Sequence, residues 1–298
     1  MSRASFVVLE DRGILAVSGP DRRSFLQGLV SNDVEKVSAE RALYAALLTP
    51  QGKYLHDFIM VEHGEAIWLD AEAARLADLK RRLSIYRLRA KVMLEELSEL
   101  SVAAVFGDGV AATLGLPKEA GAARAFGGGV ALIDPRLTAL GGRCILLRPD
   151  LASVLAAAGL TAGDAAGYDR HRLAVGVPDG SRDLVVERSI LLESGFDELN
   201  GVDWQKGCYI GQELTARTKY RGLVKKRLFP VRIDGAAPAA GTVLIQDGRE
   251  AGEMRSSRDG IGLALLRLDA VAAKQPLMAD AATLVPLDPG WIRLPASE

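Results

Sequence analysis

Residues 206–213 read Lys206-Gly207-Cys208-Tyr209-Ile210-Gly211-Gln212-Glu213 and run on into Leu214-Thr215-Ala216-Arg217. One of the chain's two cysteines stands in the middle, between glycines that let the backbone pass close to another group. Lys206 brings positive charge near the thiol. The pattern from Tyr209 to Thr218 predicts an amphipathic helix, which would set Cys208 at a helix N-terminus. The helix dipole and the free N–H groups there favour a thiolate. Glu213, more than a turn further on, would buffer that charge or bind Lys206. The other reading of Cys208 is a small residue packed between loop and helix, and the residues alone leave both open.

Outward from this segment, the composition narrows the classes. The 298 residues suffice for one large or two or three smaller domains, and 49% are hydrophobic and 25% charged, as in ordinary globular proteins. A net charge of −1 gives no global basic field for nucleic acid or an acidic membrane. No apolar run reaches the roughly 18–20 residues a spanning helix needs. The opening MSRASFVVLEDRG has the composition of neither a signal nor a transit peptide. Cys144 sits in the strand-like run Arg143-Cys144-Ile145-Leu146-Leu147 and reads as a buried thiol. His56, His63 and His171 fall at no metal-ligand spacing, so the chain has no self-contained zinc or iron–sulfur site by pattern.

The organisation reads as α+β. Phe6 to Leu9 and Ile14 to Val17 flank Asp11-Arg12-Gly13, a hairpin signal, and Asp21 is placed to cap a helix from Arg22 to Val30. Strands are expected over Leu43–Leu48, Tyr54–Val61, Ala66–Leu69 and Lys91–Leu97, with a turn at Pro50-Gln51-Gly52-Lys53 and a helix over Ala71–Tyr86. Further strands at Ser101–Phe106, Val130–Ile133 and Cys144–Leu147 alternate with helices over Gly109–Leu116, Leu151–Ala158 and Asp164–Val175. Beyond Tyr220, short strands at close spacing with glycine-bearing turns predict a small all-β barrel or sandwich. The boundary is placed near Gly222, giving regions 1–222 and 223–298. Phosphate-loop and nucleophile-elbow patterns are missing. Lys219 to Arg227 is a basic stretch that reads as a solvated strand edge or an RNA contact. Tyr86, Arg89 and Lys91 leave the long helix together, either lining a cleft for an anionic aromatic ligand or forming a charged helix end.

Together these segments resemble the YgfZ-type folate-binding proteins, relatives of the glycine-cleavage aminomethyltransferase. KGCYIGQELTAR resembles the family signature. Phe25 to Val34 (FLQGLVSNDV) is similar to its FLQG…TNDV stretch, with Ser31 for the threonine. Pro50-Gln51-Gly52-Lys53 with Asp57, Tyr86 to Val92 (YRLRAKV), Asp169-Arg170 to Pro178, and Gly262 to Arg267 follow in the family's order. Within the family, residues 211–231 look most like the mitochondrial iron–sulfur assembly members. Without a transit peptide, a bacterial, cytoplasmic counterpart is expected.

The resemblance implies an aminomethyltransferase-like fold, mixed α/β parts in a three-part ring around a central folate channel, with a C-terminal small β-barrel. It implies a tetrahydrofolate-binding accessory factor for iron–sulfur cluster assembly, maturing four-iron proteins with an A-type carrier. Cys208 would be the functional thiol, one ligand of a transient cluster shared with the partner, no metal being held by this chain alone. Asn32, Asp57, Tyr86, Arg89 and Arg172 become candidates for the folate channel, and Lys206, Gly207, Tyr209, Gly211, Gln212 and Glu213 complete the thiol motif. Gly52-Lys53-Tyr54-Leu55-His56-Asp57 departs from the transferases' Gly-Gly-x-x-Asp-Asp segment, which weakens one-carbon transfer. A folate-dependent transferase remains the alternative, and a tRNA-modification accessory a further one; no membrane is expected.

Overall fold

The computed structural model describes residues 4–293. The chain forms two compact units. Unit 1 comprises Met1–Leu48, Leu55–Tyr168 and Leu199–Ile210; unit 2 comprises Thr49–Tyr54, Asp169–Glu198 and Gly211–Glu298. Unit 2 thus takes three stretches, Thr49–Tyr54, Asp169–Glu198 and the residues from Gly211 on, out of what the sequence reading keeps whole as 1–222.

Unit 1 carries β1 (Ser5–Val8), β2 (Arg12–Ser18), α1 (Arg22–Gln27), β3 (Leu43–Leu48), β4 (Tyr54–His63), β5 (Ala66–Glu72), α2 (Leu76–Arg87), β6 (Met93–Glu96) and β7 (Leu100–Phe106). It continues with α3 (Val110–Leu114), β8 (Ala123–Phe126), β9 (Gly129–Ile133), β10 (Gly142–Leu147), α4 (Leu151–Ala157) and β11 (Thr161–Ala162). These strands make two sheets, ordered β3-β4-β5-β2-β6 and β11-β1-β7-β10-β9-β8. The hairpin expected around Asp11-Arg12-Gly13 does not form. β1 pairs antiparallel with β7, β2 pairs with β5 and β6, and the turn carries the chain from one sheet to the other. Asp21 does not cap α1; its carboxylate accepts the Lys91 backbone N–H at 2.7 Å. The glycine run Gly127-Gly128-Gly129 supplies the turn of the β8–β9 hairpin, with positive φ at Gly127 and Gly128.

The core follows from the apolar pattern. β3 (LYAALL) is buried along its whole length, and α2 buries Leu76, Leu79 and Leu83 at helical spacing. Cys144 is fully buried in the six-stranded sheet with Phe6, Ala103, Val105 and Leu146.

The two sheets of unit 1 are also joined by buried charge. Asp70 on β5 accepts from Arg12 Nε at 2.7 Å and pairs with Arg143 on β10. Arg143 Nε lies 3.5 Å from Asp134, which Arg136 grips through two nitrogens at 2.9 and 2.7 Å. The Arg136 guanidinium lies 5.5 Å from the Tyr44 ring centroid, and the Tyr44 hydroxyl donates to Asp57 at 2.9 Å. Burial acts to raise the Asp70 carboxyl, but the Arg12 and Arg143 guanidiniums prevail and hold it below the usual carboxylate range. Asp134 is held low in the same way, by Arg136 and Arg143 against burial.

Helix α5 (Ala165–Val175) crosses the division between the units. Unit 2 then has α6 (Gly180–Asp183), α7 (Gln212–Tyr220), β12 (Lys226–Asp234), β13 (Val243–Gln246), β14 (Arg249–Arg258), β15 (Ile261–Arg267), α8 (Leu268–Ala272), β16 (Leu277–Ala279) and β17 (Ala282–Pro286). The six strands close into a barrel ordered β12-β15-β14-β13-β16-β17, filled by Phe229, Val231, Leu244, Met254, Leu266 and Leu284. Closure leaves it no open sheet edge. The Pro50–Lys53 turn packs against the start of α7: a Cβ on Gly52 (φ +75°) would lie 2.7 Å from both the Gly211 carbonyl oxygen and Leu214 Cβ. Two of the sequence motifs, PQGK and GQEL, therefore meet in this unit.

Candidate functional site

The thiol segment of unit 1, Leu199 to Ile210, lies along the loop that follows α1. The Ser31 hydroxyl donates to the Gly201 carbonyl at 2.6 Å, and the Asp203 N–H donates to the Ser31 carbonyl at 3.1 Å. The Asn32 amide donates to the Asn200 carbonyl at 2.7 Å, and the Ile210 N–H donates to the Gly28 carbonyl at 3.2 Å. At the centre is Lys206, itself buried. Its Nζ donates to the carbonyls of Gln27 (2.9 Å), Val30 (2.6 Å) and Asn32 (2.7 Å) and lies 5.2 Å from the Tyr209 ring centroid. An ammonium has three N–H bonds, and three carbonyls meet them. Burial pulls the Lys206 ammonium down to about 8, against the opposing pull of Asp33 and Asp203, so it is charged at neutral pH.

This geometry corrects three expectations. Lys206 turns its charge into the carbonyl cradle and works as a clamp on the loop. Helix α7 begins at Gln212 with Gly211 as its N-cap, so Cys208 stands four positions before the helix, on the loop. Cys208 and Gly207 are exposed while Tyr209 is buried beneath them. Glu213, expected to buffer or bind Lys206, pairs with Arg217 at 2.7 Å.

The folate candidates have different surroundings. The Asn32 amide is committed within the chain: Nδ2 donates to the Tyr44 and Asn200 carbonyls, and Oδ1 accepts from the Asp33 N–H. Asp57 is buried against Tyr44. Tyr86 and Arg89 are exposed at and just beyond the end of α2. Arg172 belongs to unit 2, buried in an ion cluster: Nε donates to Asp169 (2.9 Å), Nη1 to Asp183 and the Val177 carbonyl (3.3 Å), and Nη2 to the Ser256 hydroxyl (2.8 Å). As placed, Asn32 and Arg172 hold the protein's own framework and do not fit a ligand-facing role. Ser31 and Gln27, which position the thiol loop, carried no signal beyond their place in FLQGLVSNDV.

The two thiols differ in kind. Burial pushes the Cys144 thiol up to about 12, and no solvent reaches it. Iodoacetamide at neutral pH should therefore add once per folded chain, at Cys208, with a second adduct only after denaturation. Mass spectrometry of the intact protein reads this directly, and equal labelling of both thiols in the folded chain would refute it. Among the described residues, no group of three or more His, Cys, Asp or Glu side chains is gathered to hold a metal ion.

Residues 225–294 match the family model of the CAF17 C-terminal beta-barrel domain. The mitochondrial iron–sulfur cluster assembly factor IBA57 of Homo sapiens is 39% identical over 280 residues, covering 87% of this chain and 76% of that protein. Its Mus musculus counterpart is 36% identical over 289 residues, covering 90% and 78%. The chain belongs to the YgfZ/IBA57 family. Among solved structures, the glycine cleavage system aminomethyltransferase T of Bartonella henselae superposes with a TM-score of 0.76 at 17% identity, over 95% of this chain and 84% of that one. The fold is thus aminomethyltransferase-like with a C-terminal barrel, as the resemblance implies. The expectation of a bacterial cytoplasmic protein is overturned, because these relatives are mitochondrial proteins of eukaryotes. That expectation leaned on the make-up of the first residues, from which a compartment does not follow.

Proposed function

We propose that this chain is an iron–sulfur cluster assembly factor in which Cys208 lends one thiolate to a cluster held jointly with an A-type carrier, on the way to four-iron client proteins. The observation that carries this is the contrast between an exposed thiol on a clamped loop and a second thiol sealed in a sheet. One accessible thiolate cannot hold a cluster alone; it can complete one whose other ligands come from a partner. The assembly role of the human and mouse relatives agrees with this reading. Tetrahydrofolate enters as a ligand suggested by the fold, with Asp57 the candidate left to meet it. No step of the assembly role runs through it.

The test is an anaerobic titration with an A-type carrier loaded with a two-iron cluster, followed by native mass spectrometry and visible absorption. Wild type should form a mixed complex that retains the cluster. Cys208→Ser should lower cluster retention by about tenfold or more, since losing even an outer-shell partner of a metal ligand costs about that much. Equal retention by both proteins would remove Cys208 from the role.

A further inference from the structure

Ten large apolar residues are exposed among the described residues, and four of them fall between Ile85 and Met93. This is a local cluster at the tip of α2 and not the usual scatter. Leu88 is 89% exposed and Met93 62%. Leu88 also adopts φ +41° and ψ −105°, a strained conformation for a residue with a bulky side chain. Neither burial nor a turn-forming side chain explains a leucine there. Around it stand Arg87, Arg89 and Lys91, all exposed, and no side chain of the three makes an ion pair among the described residues. Apolar centre and unpaired cationic rim together have the anatomy of a protein interface.

The tip is tied to the thiol loop through α1. At the start of α1, the Lys91 N–H bonds Asp21, and Gly19 is packed so tightly under the Lys91 carbonyl that a Cβ would collide with it. At the other end, Gln27 and Gly28 accept from Lys206 and Ile210. Six helical residues span about 9 Å. A partner burying about 800 Å² of this chain covers a patch roughly 30 Å across. Cys208 and the α2 tip thus hang from the two ends of one short helix, a separation that one partner of ordinary size can span.

We propose that the α2 tip, centred on Leu88, is the docking element for the cluster carrier that meets Cys208. The inference rests on the shared-cluster reading of Cys208 and adds the partner's chemistry: an apolar recess rimmed by carboxylates. A small molecule is the poorer occupant, since ligand sites are concave and this one projects. Nucleic acid is poorer too, since the most exposed apolar side chains, Leu88, Met93 and Ile85, give bases no ring to stack on.

The experiment measures affinity for the A-type carrier, both metal-free and cluster-loaded, for wild type, Leu88→Ser, Arg87→Glu with Lys91→Glu, and Cys208→Ser. Leu88→Ser and the charge reversal should each weaken binding of the metal-free carrier by about tenfold or more. They should leave the alkylation rate of Cys208 and the melting temperature unchanged, because the altered side chains touch nothing in the core. Added salt should weaken wild type and spare the charge-reversed protein. Cys208→Ser should keep its affinity for the metal-free carrier while losing the cluster. If the tip variants bind both carrier forms like wild type while Cys208→Ser loses the cluster, the docking inference fails and the Cys208 reading stands. If wild type binds neither form, both fall. Tip variants that change only tetrahydrofolate affinity, or that dissolve a wild-type dimer, would assign the surface to a ligand or a second copy and overturn the proposal.

Discussion

Asp70→Asn is expected to destabilise unit 1 by about 3–5 kcal/mol, the cost of stripping the counter-charge from a buried ionic group. Asp70 is fully buried and faces Arg12 and Arg143, themselves at 8% and 4% exposure. The amide leaves two guanidiniums in a dry interface between two sheets with one carboxylate fewer to balance them. For a body of this size the melting midpoint should drop by roughly 10 °C. Adding Arg12→Met to Asp70→Asn should recover part of the loss, because it removes one uncompensated charge. The same pair of sheets gives a pH dependence. Asp70 and Asp134 are held below their ordinary range in the folded state, so the unfolded chain binds protons first as pH falls. Their contribution is complete above about pH 4–5 and drains away on further acidification. Calorimetry of wild type and Asp70→Asn from pH 7 to 3 checks both claims. The variant should start lower and lose less, and parallel curves would show that these carboxylates are not the linked groups.

Lys206→Met is expected to have the largest effect on the candidate site. It removes three hydrogen bonds at once and leaves the Gln27, Val30 and Asn32 carbonyls facing a methyl group. A loss of about 3 kcal/mol is expected, from unsatisfied buried acceptors that had met a charged donor. It should be felt locally, as faster exchange of the Asp203 and Ile210 amides and a looser hold on Cys208. Lys206→Arg should not rescue it, since a planar fork cannot point three donors at three converging carbonyls. Hydrogen exchange read alongside cluster retention in the mixed complex separates this from a charge effect on the thiol. A methionine variant with wild-type exchange in residues 199–210 would mean that Lys206 is no clamp.

What the sequence made legible was what is local. The barrel strands follow one another at short spacing and their turns carry glycine, and β13–β14, β14–β15 and β16–β17 pair as consecutive neighbours. Cys144 sits in an unbroken apolar run, and such a run has only an interior to go to. The β1–β2 turn looked like a hairpin because Asp-Arg-Gly says that the chain turns and not what it pairs with; the partner of β1 is β7, more than 90 positions away. Lys206 misled for a different reason. A lysine two residues from a cysteine reads as charge for the thiol, yet its three partners are backbone carbonyls, which any residue can supply and no sequence marks. Asn32 and Arg172 were recognisable as notable residues, but notability is shared by ligand contacts and by side chains that hold the frame. Leu88 gave no signal, because exposure of a leucine in a strained turn is a property of the folded chain alone.

The return of residues 199–210 to unit 1 has a consequence for the order of events. The last strand of its two sheets ends at Ala162, and the chain comes back only at Leu199. During synthesis from the N-terminus, both sheets and the carbonyls that will receive Lys206 have left the ribosome before the thiol does. Cys208 therefore arrives at a finished platform, and it spends little of its life as an unanchored thiol on a nascent chain.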